Sequence, residues 1–407
     1  MNCRHCRSPL EQVFLDLGHA PPSNAYLDAA ALRAPETTYP LRLFVCGACY
    51  LVQTEDYTEA EALFSPDYAY FSSTSRSWLD HAARFSWMIT DRFSLGADSL
   101  VIEVASNDGY LLKNFVEVGI PCLGIEPTDS TAAAAEALGI PVMRSFFGQS
   151  LASELVDKGS VADLICGNNV YAHVPDINDF TRGLETALKP QGVVTLEFPH
   201  LMRLVEFAQF DTVYHEHFSY LSLVTAQRIF ERAGLRIFDV EEVPTHGGSL
   251  RVYGCRTDAT HPTAPAVEAV LAEERARGME TLAYYADFQA RADAIKDGLL
   301  TFLLEQKKAG CSVAAYGAAA KGNTLLNYAG VRPDLLPFVC DAAAAKQNRF
   351  MPGSHIPILA PDALVTARPD YLVILPWNIA DEVRAQLAGL AEQGTRFVTA
   401  VPELRVS

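Results

Sequence analysis

From Ser99 to Arg256 the chain alternates short apolar runs with helix-forming stretches, and that rhythm constrains its fold more than any other feature. SLVIEVAS, PCLGIEP, IPVMRS, ADLICGNN and GVVTLEFP read as buried strands, with STAAAAEALG and INDFTRGLETALKP as helices between them. Strands separated by helices pair in parallel, joined by right-handed crossovers. LRIFDVEEVP and SLRVYGCR then follow with only a short loop between them. A hairpin there predicts seven strands, the last one antiparallel. After a helical stretch from Pro265 to Gly310 the pattern restarts. CSVAAYGAAAKGNTLLN reads as a strand, a small-residue turn and a helix. PFVCD is a strand ending in Asp341, and PDYLVILPWN one ending in Trp377 and Asn378. The expectation is a second, smaller α/β unit.

The 407 residues exceed what one core usually serves. At 49% hydrophobic and 20% charged, the balance is that of an ordinary globular chain. A formal net charge of −17 without a long basic run argues against nucleic acid as partner. A few local donors could still hold a small anion. No apolar run approaches the roughly 20 residues of a membrane helix, and MNCRHCRSPL lacks the apolar stretch of a signal peptide. A cytoplasmic location with reduced cysteines is expected. In that setting Cys3-x-x-Cys6 and Cys46-x-x-Cys49 spell a four-thiolate zinc site. Four thiolates leave no open position, so the metal is expected to be structural. His5 is not needed as a ligand, and Cys122, Cys166, Cys255, Cys311 and Cys340 read as small core residues.

The first strand of the long alternation runs into Glu103-Val-Ala-Ser-Asn-Asp-Gly109, and the second ends in Gly124-Ile-Glu126-Pro127. A strand, a turn and a helix make a nucleotide cradle, and an acidic residue about 20 positions on can take two ribose hydroxyls. One glycine stands where a dinucleotide fingerprint has three. That disfavours an NAD pyrophosphate and suits S-adenosylmethionine. In the second unit, Gly317, Ala318, Ala319 and Ala320 let backbone amides approach a pyrophosphate, with Lys321 adding charge. It is not a Walker loop, because GxxxxGK[ST] is absent. Lys346, Gln347 and Arg349 are further candidate phosphate donors.

TVYHEHFSYL, residues 212–221, sets Tyr214, His215, Glu216 and His217 side by side. Histidines two apart do not match the i,i+3 or i,i+4 spacing of helical metal pairs, so proton transfer is the better chemistry. In an extended strand, Tyr214 and Glu216 would face one side and both histidines the other. All could meet one substrate only if the backbone turns.

The succession of Cys-x-x-Cys pairs, EVASNDGYLL, GIEP, GNNVYAHVPD, YHEHFSYLS, HGGSLRVY and YGAAAKGNTLLN resembles the sugar C-methyltransferases of deoxysugar biosynthesis along nearly the whole chain. The resemblance implies three parts: a zinc-binding domain over 1–65, a seven-stranded class I, Rossmann-like methyltransferase domain over 66–260, and a smaller Rossmann-like nucleotide-sugar domain over 261–407. It implies methyl transfer from S-adenosylmethionine to C3 of a dTDP-linked 4-keto-deoxyhexose, in antibiotic deoxysugar biosynthesis, by a monomer. A base would remove the C3 proton to leave an enolate that takes the methyl. It turns Tyr214, Glu216 and His217 toward the sugar. His217 is expected to be that base, with Glu216 orienting or tuning its imidazole, Tyr214 holding the sugar and its enolate oxygen, His173 and Tyr68 beside them, and His215 structural. Glu103, Ala105, Asn107, Asp108, Gly109, Glu126, Pro127, Asn168 and Asn169 would hold the donor; Ala105 departs from the glycine many methyltransferases carry. Tyr70, Ser72 and His246 would meet the sugar. Gly317, Ala318, Lys321, Gly322, Asn323, Asp341, Lys346, Arg349, Trp377 and Asn378 would meet the nucleotide. The competing expectations are an NAD-dependent nucleotide-sugar oxidoreductase or epimerase and a non-catalytic zinc-ribbon scaffold.

Overall fold

Inward-facing apolar residues between Gln12 and Thr54 build a small sheet that the helix–strand rhythm did not reveal. In the computed structural model, which describes residues 1–55, 57 and 71–407, β1 (Gln12–Ala20), β2 (Tyr39–Val45) and β3 (Val52–Thr54) form an antiparallel meander. Leu41, Leu43 and Val45 point inward along β2, and Arg42 faces out to pair with Asp16. The first cysteine pair precedes β1, and the second forms the turn between β2 and β3. Tyr68 and Tyr70 lie outside the described residues.

The long alternation gives β4 (Val101–Val104), β5 (Cys122–Ile125), β6 (Val142–Met143), β7 (Ala162–Asn168) and β8 (Leu188–Pro199). β9 (Ser219–Tyr220) leaves this sheet and pairs with β3, becoming the fourth strand of the first sheet. β10 (Leu235–Val243) and β11 (Ser249–Arg256) return as the hairpin. The seven strands are ordered β10-β11-β8-β7-β4-β5-β6, and β11 is antiparallel to both neighbours, as the sequence predicts. The chain reverses direction across the sheet at β4, which puts a ligand crevice beyond the carboxyl ends of β4, β5 and β7. Around it lie α1 (Arg76–Phe93), α2 (Asp129–Ala137) and α3 (Ile177–Ala187). Helix α3 ends earlier than INDFTRGLETALKP suggests. Leu188 is already extended and starts β8, because Pro190 disfavours a helical Lys189. Gly109 closes the turn after β4 at φ 78°, where a Cβ would stand 2.4 Å from Ile140 Cδ1.

The third sheet contains β12 (Val313–Tyr316), β13 (Val339–Cys340), β14 (Ile358–Leu359), β15 (Tyr371–Ile374), β16 (Arg396–Thr399) and β17 (Arg405–Val406), ordered β14-β13-β12-β15-β16-β17. Only β17 is antiparallel. Of these, β12, β13 and β15 were legible because each sits in a longer apolar run; β14, β16 and β17 were not singled out. Preceding this sheet are α4 (Pro265–Ala276) and α5 (Phe288–Ala309), and α6 (Ala320–Tyr328) follows β12. One core joins Leu15 and Leu43 of the first sheet, Phe288 and Leu299 of α5, and Val313 and Val373 of the third sheet. Another joins Cys3, Cys46 and Cys49 to Leu196 of the seven-stranded sheet and Phe180 of α3. The N-terminal module is thus packed against both α/β units.

Candidate active site in the cleft between the sheets

The two cysteine turns have the same build. Arg7 N–H donates to Cys3 C=O at 3.0 Å and Tyr50 N–H to Cys46 C=O at 2.9 Å, with Arg7 and Tyr50 both at positive φ. All four Sγ atoms lie within 4.8 Å of one another, with Cys3–Cys49 and Cys6–Cys46 each 3.5 Å apart. A tetrahedron with bonds of about 2.3 Å has edges of about 3.8 Å, so the donors fit zinc. His5 is turned away, its Nδ1 2.9 Å from Asn178 Oδ1 on α3, while Asn178 Nδ2 donates to the carbonyls of Arg4 and His5. The cysteine knuckle is thereby tied to α3.

A cavity of about 540 Å³ opens beyond β4, β5 and β7 and is lined by residues from all three parts of the chain. On the cofactor side, Glu126 braces the first turn. Its Oε2 accepts from Asn107 N–H and its Oε1 from Thr128 N–H, both at 2.9 Å, and from the Thr128 hydroxyl. Oε2, with one such bond, keeps acceptor capacity for a ligand, whereas Oε1 already accepts two. Ala105 and Asn107 hold left-handed φ of 57° and 50°, a conformation that costs an alanine about 1–2 kcal/mol. Ser72 N–H donates to Asn107 Oδ1 at 2.9 Å and Ser73 N–H to Asp108 Oδ2 at 3.0 Å, docking the segment before α1 onto the turn. Asn168, at the end of β7, lines the cavity, and among the described residues neither its amide nitrogen nor its oxygen has a partner. A buried, unbonded amide is costly unless a ligand satisfies it. This cradle fits S-adenosylmethionine. Asn169, also left-handed, donates from Nδ2 to His246 Nε2 at 2.9 Å.

Residues 214–217 turn. His217 N–H donates to Tyr214 C=O at 3.0 Å, which brings Tyr214, Glu216 and His217 together on the cavity wall. His215 points away, its Nε2 3.4 and 3.3 Å from the carbonyls of Tyr39 and Pro40. His217 Nδ1 is 3.0 Å from Thr212 C=O, and His173 Nδ1 is 2.8 Å from Glu216 C=O. A carbonyl only accepts, so both rings carry their proton on Nδ1 and present Nε2 as acceptor. The two rings are 4.6 Å apart. Burial pushes His217 well below the usual imidazole range, with His173 adding to the shift, and it takes His173 down to about 4. Both are neutral at pH 7. Burial raises the Glu216 carboxyl to about 7, against the amide of Asn24, whose Nδ2 lies 3.0 and 2.8 Å from its two oxygens. The hydrogen bond that orients His217 comes from Thr212 instead of from Glu216, because the turn sends the carboxylate toward Asn24.

The opposite side of the cavity is built from the turn after β12. Asp341 Oδ2 accepts from Ala318 N–H at 2.7 Å, and Lys346 Nζ donates to Ala318 C=O at 2.9 Å. Ala319, Ala320, Lys321 and Lys346 line the cavity. Lys321 Nζ donates to Asn378 Oδ1 at 2.6 Å and lies 4.7 Å from the centre of the Trp377 indole.

Of the residues singled out from sequence, Ser72, Ala105, Asn107, Glu126, Pro127, Asn168, Asn169, His173, Tyr214, Glu216, His217, His246, Lys321 and Lys346 line this one cavity. Glu103 does not; it is fully buried in β4, where burial holds its carboxyl well above the usual carboxylate range. Asp108 and Gly109 shape the turn. Gly317, Ala318, Gly322, Asn323, Asp341, Trp377 and Asn378 do not line the cavity; Asn378 is exposed, and Asn323 Nδ2 donates to Ser23 C=O. Arg349 is exposed, away from the cavity. Asn24 and Trp78 line it without having been singled out. Asn24 sits in PPSNAY, where nothing local distinguishes it from an ordinary turn asparagine. Trp78 belongs to a chain of rings, stacked 4.9 Å from His81 and edge-on 5.5 Å from His246.

Family models match three successive stretches. One described as a zinc binding domain covers residues 3–64, one described as a methyltransferase domain covers 76–240, and one described as a C-methyltransferase C-terminal domain covers 244–402. The C-methyltransferase NovU of Streptomyces niveus is 33% identical over 404 residues, which is 99% of this chain and 96% of that protein. Among solved structures, magnesium protoporphyrin IX methyltransferase from Synechocystis with bound SAM is 14% identical, covering 44% of this chain and 78% of its own at a TM-score of 0.33. The YcgJ protein of Bacillus is 11% identical, covering 44% and 98% at a TM-score of 0.35. Likenesses at that level carry no weight about function.

Proposed function

This chain belongs to the S-adenosylmethionine-dependent C-methyltransferases, and we propose that its acceptor is a nucleotide-linked 4-keto-deoxyhexose, methylated at C3. The likeness of its motifs to sugar C-methyltransferases supports that acceptor, with dTDP as the nucleotide and an antibiotic deoxysugar as the end of the route. We assign residues 1–65 to the zinc-binding part, 66–260 to donor binding and 261–407 to the nucleotide handle.

The observation that carries this reading is the locked imidazole of His217, whose Nε2 faces a cavity shared by the donor cradle and the two lysines. A ketone at C4 acidifies the C3 hydrogen. His217 Nε2 takes that proton, and the electron pair moves into the C3–C4 bond and onto the ketone oxygen. The Tyr214 hydroxyl donates to that developing charge, and Glu216, near its half-protonated point at neutral pH, holds the sugar beside it. S-adenosylmethionine, held by Glu126 and Asn168, would supply the electrophilic methyl, its S–CH3 bond breaking to leave S-adenosylhomocysteine as the enolate carbon takes the methyl and the ketone re-forms. Lys321 and Lys346 hold the diphosphate. The neutral state of both histidines suits a base in a dry site, where an imidazolium would already carry the proton it is meant to accept.

The test is hydrogen exchange without donor, over a panel of nucleotide 4-ketosugars in deuterated solvent. The wild type is expected to exchange the C3 hydrogen, and His217→Asn to slow it about a hundred- to ten-thousandfold. Wild-type exchange in His217→Asn, lost instead in His173→Asn, moves the base to His173. Exchange that survives both changes refutes a histidine base.

A further inference from the structure

The peptide that orients the proposed base is itself held from the C-terminal unit. Phe210–Thr212 is a single helical turn, followed by Val213 in extended conformation. Thr212 C=O accepts from His217 Nδ1 at 3.0 Å. On one side of it, Asp211 is fully buried and its Oδ2 accepts the Trp377 indole N–H at 2.7 Å. On the other, Val213 C=O accepts the Thr324 hydroxyl at 2.8 Å. Trp377 follows β15, and Thr324 lies on α6, the helix whose first turn carries Lys321. Gly247 packs closely against the indole, where a Cβ would come within 2.4 Å of its Cη2. Both neighbours of the orienting carbonyl are therefore pinned by the unit that faces the nucleotide.

We propose that Asp211 and Thr324 are positioning residues for proton abstraction: by fixing the Thr212 carbonyl they hold the His217 ring in the Nδ1–H tautomer with Nε2 toward the sugar. The inference rests on reading His217 as the base. It gives the C-terminal unit a second task, since docking it against residues 210–213 completes the base as well as holding the nucleotide. The tautomer of a neutral imidazole follows the hydrogen bond made by its other nitrogen. A misplacement of about 1 Å in a reacting group can cost about a hundredfold in rate.

Thr324→Val keeps the shape and removes the hydroxyl, Thr324→Ser restores it, and Asp211→Asn keeps an acceptor for the indole while Asp211→Ala removes it. Thr324→Val and Asp211→Ala are expected to lower kcat and donor-free C3 exchange by about ten- to a hundredfold. Binding of the nucleotide sugar and of S-adenosylmethionine should stay within about twofold of wild type, the scatter allowed here for an unchanged site. Thr324→Ser and Asp211→Asn should recover most of the rate. Nitrogen-15 NMR of the His217 ring, assigned by its loss in His217→Asn, should show one Nδ1–H tautomer in the wild type and a mixture in Thr324→Val. A raised KM with unchanged kcat in Thr324→Val overturns the proposal, because Thr324 would then act only on the nucleotide. An unmoved ring signal overturns it as well, even if His217→Asn loses exchange as expected. Wild-type exchange in His217→Asn instead sinks the base reading itself, so the two failures are told apart.

Discussion

Replacing Glu126 by glutamine tests whether the end of β5 holds the donor or only braces the turn. In the folded protein each carboxylate oxygen accepts one backbone N–H, Asn107 on Oε2 and Thr128 on Oε1. Glutamine has one oxygen, so one of those N–H groups must face an NH₂ that only donates. The same substitution leaves a single acceptor where two adjacent ribose hydroxyls would bind. Each loss removes a hydrogen bond to a charged group, worth about 1.5–3 kcal/mol. For the donor that is about a 10- to 150-fold rise in Kd, at about 1.4 kcal/mol per tenfold. The ligand-free protein should lose stability on the same scale, since Asn107 sits at a left-handed φ that its contact with Glu126 helps to hold. Calorimetric titration with S-adenosylhomocysteine measures the first effect without turnover, and denaturant unfolding measures the second. Nucleotide-sugar binding should not change. A Kd within about twofold of wild type, alongside a lowered unfolding midpoint, would refute the assignment of Glu126 to the donor.

Zinc should be present at one per chain. Because β3 pairs with β9, which directly follows the YHEH turn, stripping the metal should loosen the active-site segment as well as the N-terminal sheet; elemental analysis with near-ultraviolet circular dichroism before and after chelation checks both. Glu216 has a folded pKa of about 7, above its unfolded value, so the wild type loses stability as pH rises from about 4.5 to 7. Glu216→Gln escapes that loss, and its stability relative to wild type should climb with pH across this window by on the order of 3 kcal/mol. A pH-independent difference in denaturant unfolding would contradict the burial argument. Lys321→Ala removes a cavity-lining cation that also bonds Asn378, and should raise KM for the nucleotide sugar while leaving donor affinity alone. Equal damage to both affinities would count against the division of the cleft.

The sequence by itself determined those features whose causes are local. The four cysteines could be paired with a metal from spacing alone, because a CxxC turn closes within its own few residues. The seven-stranded sheet was legible because burial on both faces writes a strand as a short apolar run, and a hairpin as two such runs with a short loop. Glu126 was legible for the same reason, being at the end of a strand next to the one carrying the turn. The choice between His215 and His217 came only from the likeness of the motifs to a family, because periodicity gave no way to make it. Extended alternation would have set His217 opposite Tyr214 and Glu216, and only the turn closed by His217 N–H on Tyr214 C=O brings the three together. That turn depends on neighbours far away in the chain: β9 pairs with β3, Thr212 is held between Asp211 and Val213, and these reach Trp377 and Thr324. Asn24 meets Glu216 across 192 positions, and Asp211 meets Trp377 across 166. Local dihedral preference and hydrophobic periodicity act over a few residues and fix which elements form. Which side chains then share a cavity is decided by how three sheets pack, and contacts between residues so far apart leave no period in the sequence from which to read them.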